Sequence, residues 1–204
     1  MTNVAIIYYS STGHVHTLAQ AAADAARKAD AEVRLRRVAE LADRAAIESN
    51  PAWAAHHEQT KDIQVADVGD LEWADVVLFG TPTRFGLPAS QLKQFIDTAG
   101  GLWAQGGLAN KVVSSFTSTT QTHGGQESTL LALNNTFYHW GAIIVPPGYT
   151  DPVQFHVRNG NPYGTGHVSY DKGAVDEATL AAIEYQTRRT VEVAAALERG
   201  YAAA

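Results

Sequence analysis

The stretch that decides the fold is NVAIIYYSSTGHVHTLAQAAADAARKA, residues 3–29. Residues 3–9 form a continuous apolar run rich in Val, Ile and Tyr, which is typical of a strand that is covered on both faces. Four small polar or flexible residues follow at positions 10–13. Beyond them, apolar residues recur at helical spacing as far as residue 29. The stretch therefore predicts a strand, a short loop and a helix.

The rest of the chain repeats this alternation. Further strands are predicted at residues 31–38, 73–81, 110–118 and 142–148, and further helices from Pro88 and over residues 126–140 and 175–199. Alternation of strands with helices predicts an α/β fold with a parallel sheet and helices on both faces. Five strands in a chain of this length favour the flavodoxin-like, doubly wound strand order 2-1-3-4-5.

The length of 204 residues suits one domain, which we expect to span residues 1–204. Two segments do not fit the simple alternation. Residues 39–70 are polar and irregular, and residues 148–173 are rich in Gly, Asn, Pro and Tyr. Segments of this length in a compact domain are usually lids, interface elements or disordered. We call them the first and the second excursion.

Composition excludes several classes of function. The net charge of -6 argues against a nucleic-acid binder, which needs clustered Lys and Arg, and only RLRR at residues 34–37 is locally basic. The absence of cysteine removes disulfides, iron–sulfur clusters and cysteine-based zinc sites. No apolar stretch is long enough for a membrane helix, and no export signal is visible, so a cytoplasmic location is expected.

Three of the predicted strands end in loops rich in hydroxyl groups and glycine. These are SSTGHV at residues 10–15, TPTRFG at residues 81–86 and TSTTQTHGG at residues 117–125. The carboxyl ends of parallel strands meet at one edge of the sheet, where ligands bind. We therefore expect the first, second and third loop to form one site.

The first loop lacks lysine, but it contains hydrogen-bond donors suited to binding an anion. The start of a helix offers unpaired N–H groups, Ser10, Ser11 and Thr12 add hydroxyl donors, and Gly13 allows close approach. The alternative is a plain helix cap, for which one hydroxyl is enough, and the two can coexist. Neither G-x-x-x-x-G-K-[ST] nor G-x-G-x-x-G is present here. The loop therefore suits a phosphate monoester that is held and not transferred.

At this point the chain resembles a known family. YYSSTGH, GTPTRFG, DTAGGLW, HGGQE and NPYG occur in the order seen in the WrbA-type NAD(P)H:quinone oxidoreductases, over residues 4–200. The resemblance implies a flavodoxin-like fold, non-covalently bound FMN, and NADH or NADPH as electron donor. It also implies two-electron reduction of quinones to hydroquinones by a ping-pong mechanism, with nucleotide and quinone using one pocket in turn, and a homotetramer.

The resemblance also implies roles for individual residues. FMN phosphate would lie on the first loop, the ribityl chain and ring along the second, and the pyrimidine edge of the ring against the third. The implied cofactor contacts are Ser10, Ser11, Thr12, Gly13, His14, Val15, Thr81, Pro82, Thr83, Arg84, Phe85, Gly86, Thr117, Ser118, Thr119, Thr120, Gln121, Thr122 and His139. His139 is also the implied catalytic residue, able to bond a quinone oxygen and supply a proton. Trp103 and Thr12 are the implied substrate contacts.

Other interpretations remain open from the residues alone. A flavodoxin-type FMN electron carrier that serves partner proteins is the main alternative, and an accessory protein that has kept the fold is a third. Histidine pairs that bind metals on helices are usually four residues apart, whereas His56 and His57 are adjacent and His14 and His16 are two apart. We predict no metal site, and we expect Trp53, His56 and His57 to serve the first excursion's own packing or a subunit contact.

Overall fold

The computed structural model describes residues 1–170 and 173–203; residues 171 and 172 of the second excursion lie outside it. The strands are β1 (Asn3–Tyr8), β2 (Glu32–Arg37), β3 (Val76–Arg84), β4 (Leu87–Pro88), β5 (Val112–Thr119), β6 (Ile143–Ile144) and β7 (Gly166–Val168). The helices are α1 (His14–Lys28), α2 (Arg44–Glu48), α3 (Pro51–Gln59), α4 (Val68–Trp73), α5 (Ser90–Thr98), α6 (Gly100–Ala104), α7 (Gln126–Trp140) and α8 (Glu177–Ala202). A short 3₁₀ helix covers Pro152–Phe155.

The main sheet has the order β2-β1-β3-β5-β6, and these neighbours all run parallel. Strand β4 pairs antiparallel with the end of β3 and lies off this path. Without β4, the order is the predicted 2-1-3-4-5, so the flavodoxin-like prediction is confirmed.

Apolar side chains cover both faces of the sheet, as the unbroken run at residues 3–9 predicts. Alternate residues of β1 belong to two separate cores: Val4 and Ile6 pack with α1 and α8, whereas Ala5 and Ile7 pack with α5 and α7. Because β1 is buried on both sides, its register cannot slip without moving apolar side chains between the two cores.

Two predicted boundaries are wrong. Pro88 does not start a helix, because it pairs with Thr83 as part of the short strand β4, and α5 begins only at Ser90. The last strand is not continuous over residues 142–148. It consists of β6, which pairs with the first residues of β5, and of β7, which pairs with the last three residues of β5. The second excursion leaves the sheet after β6 and returns to it at β7.

The first excursion folds into the short helices α2, α3 and α4. Its end is fixed by Asp70, a buried carboxylate that accepts from the amide of Asp67, the N-cap of α4, and pairs with Arg34 at 3.2 Å and Arg36 at 3.1 Å. The basic run at residues 34–37 is therefore largely occupied within the fold, since Arg37 also donates to the carbonyl groups of Ile63 and Lys61.

Gln186 of α8 anchors the return of the second excursion. Its buried side chain donates to Ser114 Oγ at 2.7 Å and to the Ser115 carbonyl at 2.8 Å, and it accepts from the amide and hydroxyl of Thr165. Gly164 lies so close to β5 that a Cβ there would be 2.1 Å from the Ser115 carbonyl oxygen. Only glycine allows this approach.

None of the helices over residues 1–170 and 173–203 is long and apolar enough to cross a bilayer.

Candidate functional site

Strand register brings the three predicted loops together at one edge of the sheet. Tyr8 is paired with Gly80, and Thr81 with Thr117, so the carboxyl ends of β1, β3 and β5 lie at the same edge of the sheet, with β3 and β5 extending three or four residues beyond β1. The Tyr9 amide continues the ladder by donating to the Gly80 carbonyl at 2.9 Å. The first, second and third loop therefore leave the sheet side by side.

The first loop leads into α1 and leaves the backbone N–H groups at the start of this helix available to a ligand. Gly13 occupies the N-cap position with φ +102°, a left-handed conformation that favours glycine, and within the described residues no side chain caps the helix. Ser10 Oγ instead accepts from the Gly13 amide at 3.1 Å and closes the turn. The simple capping alternative is therefore not what the hydroxyl groups do here. The exposed start of a 15-residue helix is a suitable place for an anion.

A positive charge reaches the first loop from the second. The Arg84 guanidinium donates to Ser11 Oγ at 3.2 Å and to the Thr83 carbonyl at 3.1 Å. Its side chain is exposed and extends along the site. The lysine that the first loop lacks is thus partly replaced by an arginine from the neighbouring strand end.

The second loop is a tight hairpin between β3 and β4. Phe85 and Gly86 are its two central residues, and both have positive φ, +53° and +79°. Such a turn normally takes Asn, Asp or Gly, because a side chain in the left-handed region is strained. Phe85 is nevertheless fully exposed. The positive φ of Phe85 costs conformational energy, and the turn holds an aromatic ring in solvent beside the first loop. Backbone strain of this kind is typical of a binding surface.

The third loop divides into a buried and an exposed part. Thr117, Ser118 and Thr119 are buried, and the Thr117 hydroxyl donates to the Thr81 carbonyl at 2.7 Å. Thr81 and Pro82 are also buried. The structure thus places these predicted contacts in the edge of the sheet beneath the site. The exposed residues of the third loop are Thr120, Gln121, Thr122 and His123.

The second and third loops are in direct contact. Thr83 and Thr129 share a hydrogen bond of 2.7 Å between their hydroxyl groups. A Cβ on Gly125 would lie 2.9 Å from the Gly86 Cα, so glycine is needed where the two turns meet. The start of α7 therefore fixes the hairpin that carries Phe85.

Glu40 ties the first excursion to the site. Its carboxylate accepts from the Tyr9 hydroxyl at 2.8 Å, from Trp53 Nε1 at 3.1 Å and from Gln91 Nε2 at 2.7 Å, and also from two backbone amides. Burial by itself would raise the pKa of Glu40, but these hydrogen bonds lower it. An ionised carboxylate thus joins the end of β1, helix α3 and helix α5.

Histidines surround the first loop. The rings of His16 and His56 have centroids 5.3 Å apart, and those of His14 and His167 are stacked at 5.1 Å. His56 comes from the first excursion and His167 from β7. The expectation that His56 serves the excursion's own packing is therefore incomplete, because its ring lies against α1 and Gly13.

His139 and Trp103 lie together but away from the loops. Trp103 Nε1 donates to the His139 carbonyl at 2.9 Å. His139 is near the end of α7, thirteen residues after the helix starts at the loops, which corresponds to about 20 Å along the axis. Within this one chain, both residues are therefore at the opposite edge of the sheet from the predicted cofactor contacts.

A cavity of about 910 Å³ adjoins the third loop. It lies between residues 122–128, the second excursion and the start of α8. Its volume is in the range of small-molecule sites. The second excursion therefore forms a wall next to the site, as long inserted segments often do.

Comparison with known proteins fits this arrangement. The family model for NADPH-dependent FMN reductase matches residues 2–153, three quarters of the chain. The chain belongs to the NADPH-dependent FMN reductase family. A relative from Deinococcus radiodurans named NAD(P)H dehydrogenase (quinone) is 49% identical over 194 residues, which cover 95% of this chain and 96% of the relative. One of the same name from Paracoccus denitrificans is 42% identical, with 98% and 97% covered.

Solved structures share the fold. The WrbA-like flavodoxin from Agrobacterium tumefaciens has a TM-score of 0.65 at 22% identity, over 95% of this chain and 98% of that one. An archaeal flavodoxin has a TM-score of 0.62 at 12% identity, over 95% and 99%. These likenesses concern the fold alone. The family model and the relatives confirm the family resemblance seen in the sequence.

Sequence reasoning missed three contributors to the site. Glu40, Gln91 and His56 lie far from the loop motifs in the sequence, and no spacing rule links them to those motifs. Only the motif YYSSTGH gives a clue, because its second tyrosine needs a partner for its hydroxyl group when buried.

Replacing Phe85 with Asn tests whether the hairpin is strained for the sake of the site. Asn tolerates positive φ better than Phe, so F85N should raise the free energy of unfolding by about 1 kcal/mol. The measurement is urea denaturation followed by circular dichroism. Leu87→Asn is the matched control, since Leu87 is equally an exposed apolar residue but lies in a strand. An equal gain in both variants would show that removing an exposed apolar side chain, and not strain, is responsible.

Proposed function

We propose that this chain is an FMN-dependent NAD(P)H:quinone oxidoreductase that reduces quinones by two electrons. The observation that carries the proposal is the first loop. It is a helix start that no side chain caps in the part of the chain that the structure describes, and it is opened by a left-handed Gly13 beside three hydroxyl residues and Arg84. The relatives named NAD(P)H dehydrogenase (quinone) support the reaction. We place the reaction in the cytoplasm, where reduced nicotinamide nucleotides are kept.

The residues present fit FMN. The free N–H groups at the start of α1 and the hydroxyls of Ser11 and Thr12 would hold the phosphate, with His14 and Val15 supplying helix amides. Thr83–Gly86 would follow the ribityl chain and ring, and the exposed residues 120–122 of the third loop would face the pyrimidine edge. Thr81, Pro82, Thr117, Ser118 and Thr119 would support these contacts from beneath.

When bound, FMN supplies the two-electron chemistry that a nicotinamide donor and a quinone require in succession. Arg84 contributes a fixed positive charge at this edge of the sheet, which favours any anionic group that forms or arrives there. Phe85 offers an exposed flat surface for a planar substrate. The hydrogen bond between Thr83 and Thr129 keeps the hairpin in place while substrates exchange.

The first experiment is the absorption spectrum of the purified protein after addition of FMN. We expect a flavin spectrum that persists through gel filtration and bleaches rapidly on addition of NADH or NADPH without oxygen. Bound flavin that neither nucleotide bleaches would favour the electron-carrier alternative. Riboflavin is the control ligand, because it lacks the phosphate and should bind at least about tenfold more weakly if the first loop holds a charged group. Absence of any flavin binding would overturn both flavin functions.

Steady-state kinetics test whether nucleotide and quinone use one pocket in turn. If the oxidised nucleotide leaves before the quinone enters, double-reciprocal plots against NADH at several fixed benzoquinone concentrations should be parallel. This is the pattern of a ping-pong mechanism. Intersecting lines would mean that both substrates are bound together and would contradict a shared pocket.

His139 and Trp103 require a second copy of the chain if they act at the site. Each lies at the edge opposite to its own loops, so each would reach the loops of a neighbour in the homotetramer that we propose. In that assembly, Trp103 would line the substrate pocket and His139 would bond the quinone oxygen and supply a proton. Thr12 would contact the nicotinamide nucleotide within its own chain.

Mixed assemblies test this arrangement. The variant His139→Ala keeps intact loops, and the variant Ser11→Asp places a negative charge where the phosphate would bind. Each should be nearly inactive alone, with the loss for H139A of about 10²-fold or more if His139 transfers a proton. Co-expressed with two different affinity tags and purified through both, the hybrid should recover activity that neither parent has.

The control for the mixed assemblies is a hybrid of wild-type chain with S11D, which sets the activity expected from intact sites. A purified hybrid of H139A with S11D that remains inactive would show that His139 does not act on a neighbour's site. A monomeric protein at working concentration, seen by analytical ultracentrifugation, would exclude the tetramer.

A further inference from the structure

His56 lies directly against the turn that begins α1. Its side chain is 6% exposed, and a Cβ built on Gly13 would be 3.6 Å from His56 Nδ1. The ring belongs to α3 of the first excursion, 43 residues further along the chain. A buried imidazole therefore lies beside the turn of the first loop, where it shares a small recess with Ser10.

His16 connects this ring to the end of β1. Its ring centroid is 5.3 Å from that of His56, and its Nδ1 is 2.6 Å from the Tyr8 hydroxyl oxygen. Burial raises the pKa of Tyr8 and lowers the pKa of His16. At neutral pH, the Tyr8 hydroxyl is therefore protonated. Tyr8, His16 and His56 form a row beneath the loop that we call the imidazole row.

The charges around the imidazole row are few. From α1 the row meets His14 and from α3 His57. Arg37 at the end of β2 and Glu40 just after it share a small recess with His56. Glu40 is the one carboxylate among the described residues of this recess. Its oxygens already accept five hydrogen bonds, so it is committed to other partners.

Without a ligand, the imidazole row is electrically neutral at physiological pH. Burial, followed by the neighbouring His16, His57 and His14, lowers the pKa of His56 to about 4. An anion settling within a few ångströms of a buried imidazole favours its protonated form and raises its pKa by about 1–3 units. A phosphate monoester at the first loop is such an anion.

We propose that His56 is a further residue of the phosphate site, whose buried ring shifts towards its protonated form, with the proton taken from solvent, when a phosphate monoester binds to the first loop. His56 then supplies from below the positive charge that a lysine supplies in other phosphate loops, while Arg84 supplies it from the solvent side. His16 holds the ring of His56 in place through its contact with Tyr8. The inference rests on the proposed function, since it assigns the phosphate of FMN to this loop.

The protonation of His56 determines how the affinity for FMN should change with pH. Because the pKa of His56 is higher in the complex than in the free protein, FMN should bind more tightly as pH falls from 8 towards 6. Near pH 6 the phosphate itself accepts a proton, and the trend should level off or reverse. Riboflavin, which has no phosphate, should show no such trend.

The test combines affinity and proton counting on the flavin-free protein. Flavin fluorescence quenching gives the dissociation constants for FMN and riboflavin between pH 6 and 8.5. Calorimetry at pH 7 in buffers of different ionisation enthalpy gives the protons taken up. We expect FMN affinity to rise by up to about fourfold from pH 8 to pH 6.5, with uptake of up to about half a proton at pH 7 for FMN and none for riboflavin.

His56→Gln distinguishes the imidazole from the phosphate as the proton acceptor. The variant should bind FMN up to about fourfold more weakly at pH 6.5, lose most of the proton uptake and leave riboflavin affinity unchanged. His57→Gln is the matched control, because His57 is the exposed neighbour on the same helix and should behave like wild type. Thermal unfolding of both variants shows whether they are folded.

Two results overturn the inference while leaving the proposed function intact. One is wild-type protein that binds FMN without taking up protons beyond those of the phosphate itself. The other is H56Q with unchanged proton uptake. If wild-type protein binds neither FMN nor riboflavin, the proposed function fails instead, so the two failures are distinguishable.

Discussion

The common register of β1, β3 and β5 is the constraint on which the rest of the molecule depends. Each strand is buried on both faces, so alternate side chains belong to different cores and a shift by one residue would place them in the wrong core. Since the carboxyl ends of these strands lie at one edge of the sheet, the loops at residues 10–15, 81–86 and 117–125 must meet there. The site is therefore a consequence of how the cores are filled.

Much of the fold and part of the site could be predicted because both depend on local pattern. The apolar run at residues 3–9, helical periodicity and hydroxyl-rich strand ends gave the strand order and the edge where the loops meet. Pro88 and residues 142–148 were predicted wrongly, because pairing of β4 with β3 and of β7 with β5 is a tertiary event that no local pattern records. The same reason hides Glu40 and His56, because Tyr9 and Gly13, against which they lie, are more than 30 residues away.

Charge at the site is distributed over several segments. A phosphate loop with its own lysine carries its cation on the helix that it begins, whereas here the cation comes from Arg84 on the second loop and aromatic nitrogen atoms lie beneath the turn. Glu40 makes this possible, since it holds α3 against the end of β1 through Trp53 and Tyr9. The first excursion thus takes part in shaping the anion site, although its sequence is polar and irregular.

The divided last strand, β6 and β7, affects the tendency of the protein to aggregate in a crowded solution. The final residues of β5 pair with β3 on one side and with β7 on the other. The second excursion brings β7 back to the sheet more than 20 residues after β6. If that excursion detached, Thr117–Thr119 would present a bare row of amide and carbonyl groups to other chains, a known route to aggregation. Gln186 and Gly164, which hold the excursion down, therefore protect colloidal solubility as well as shape.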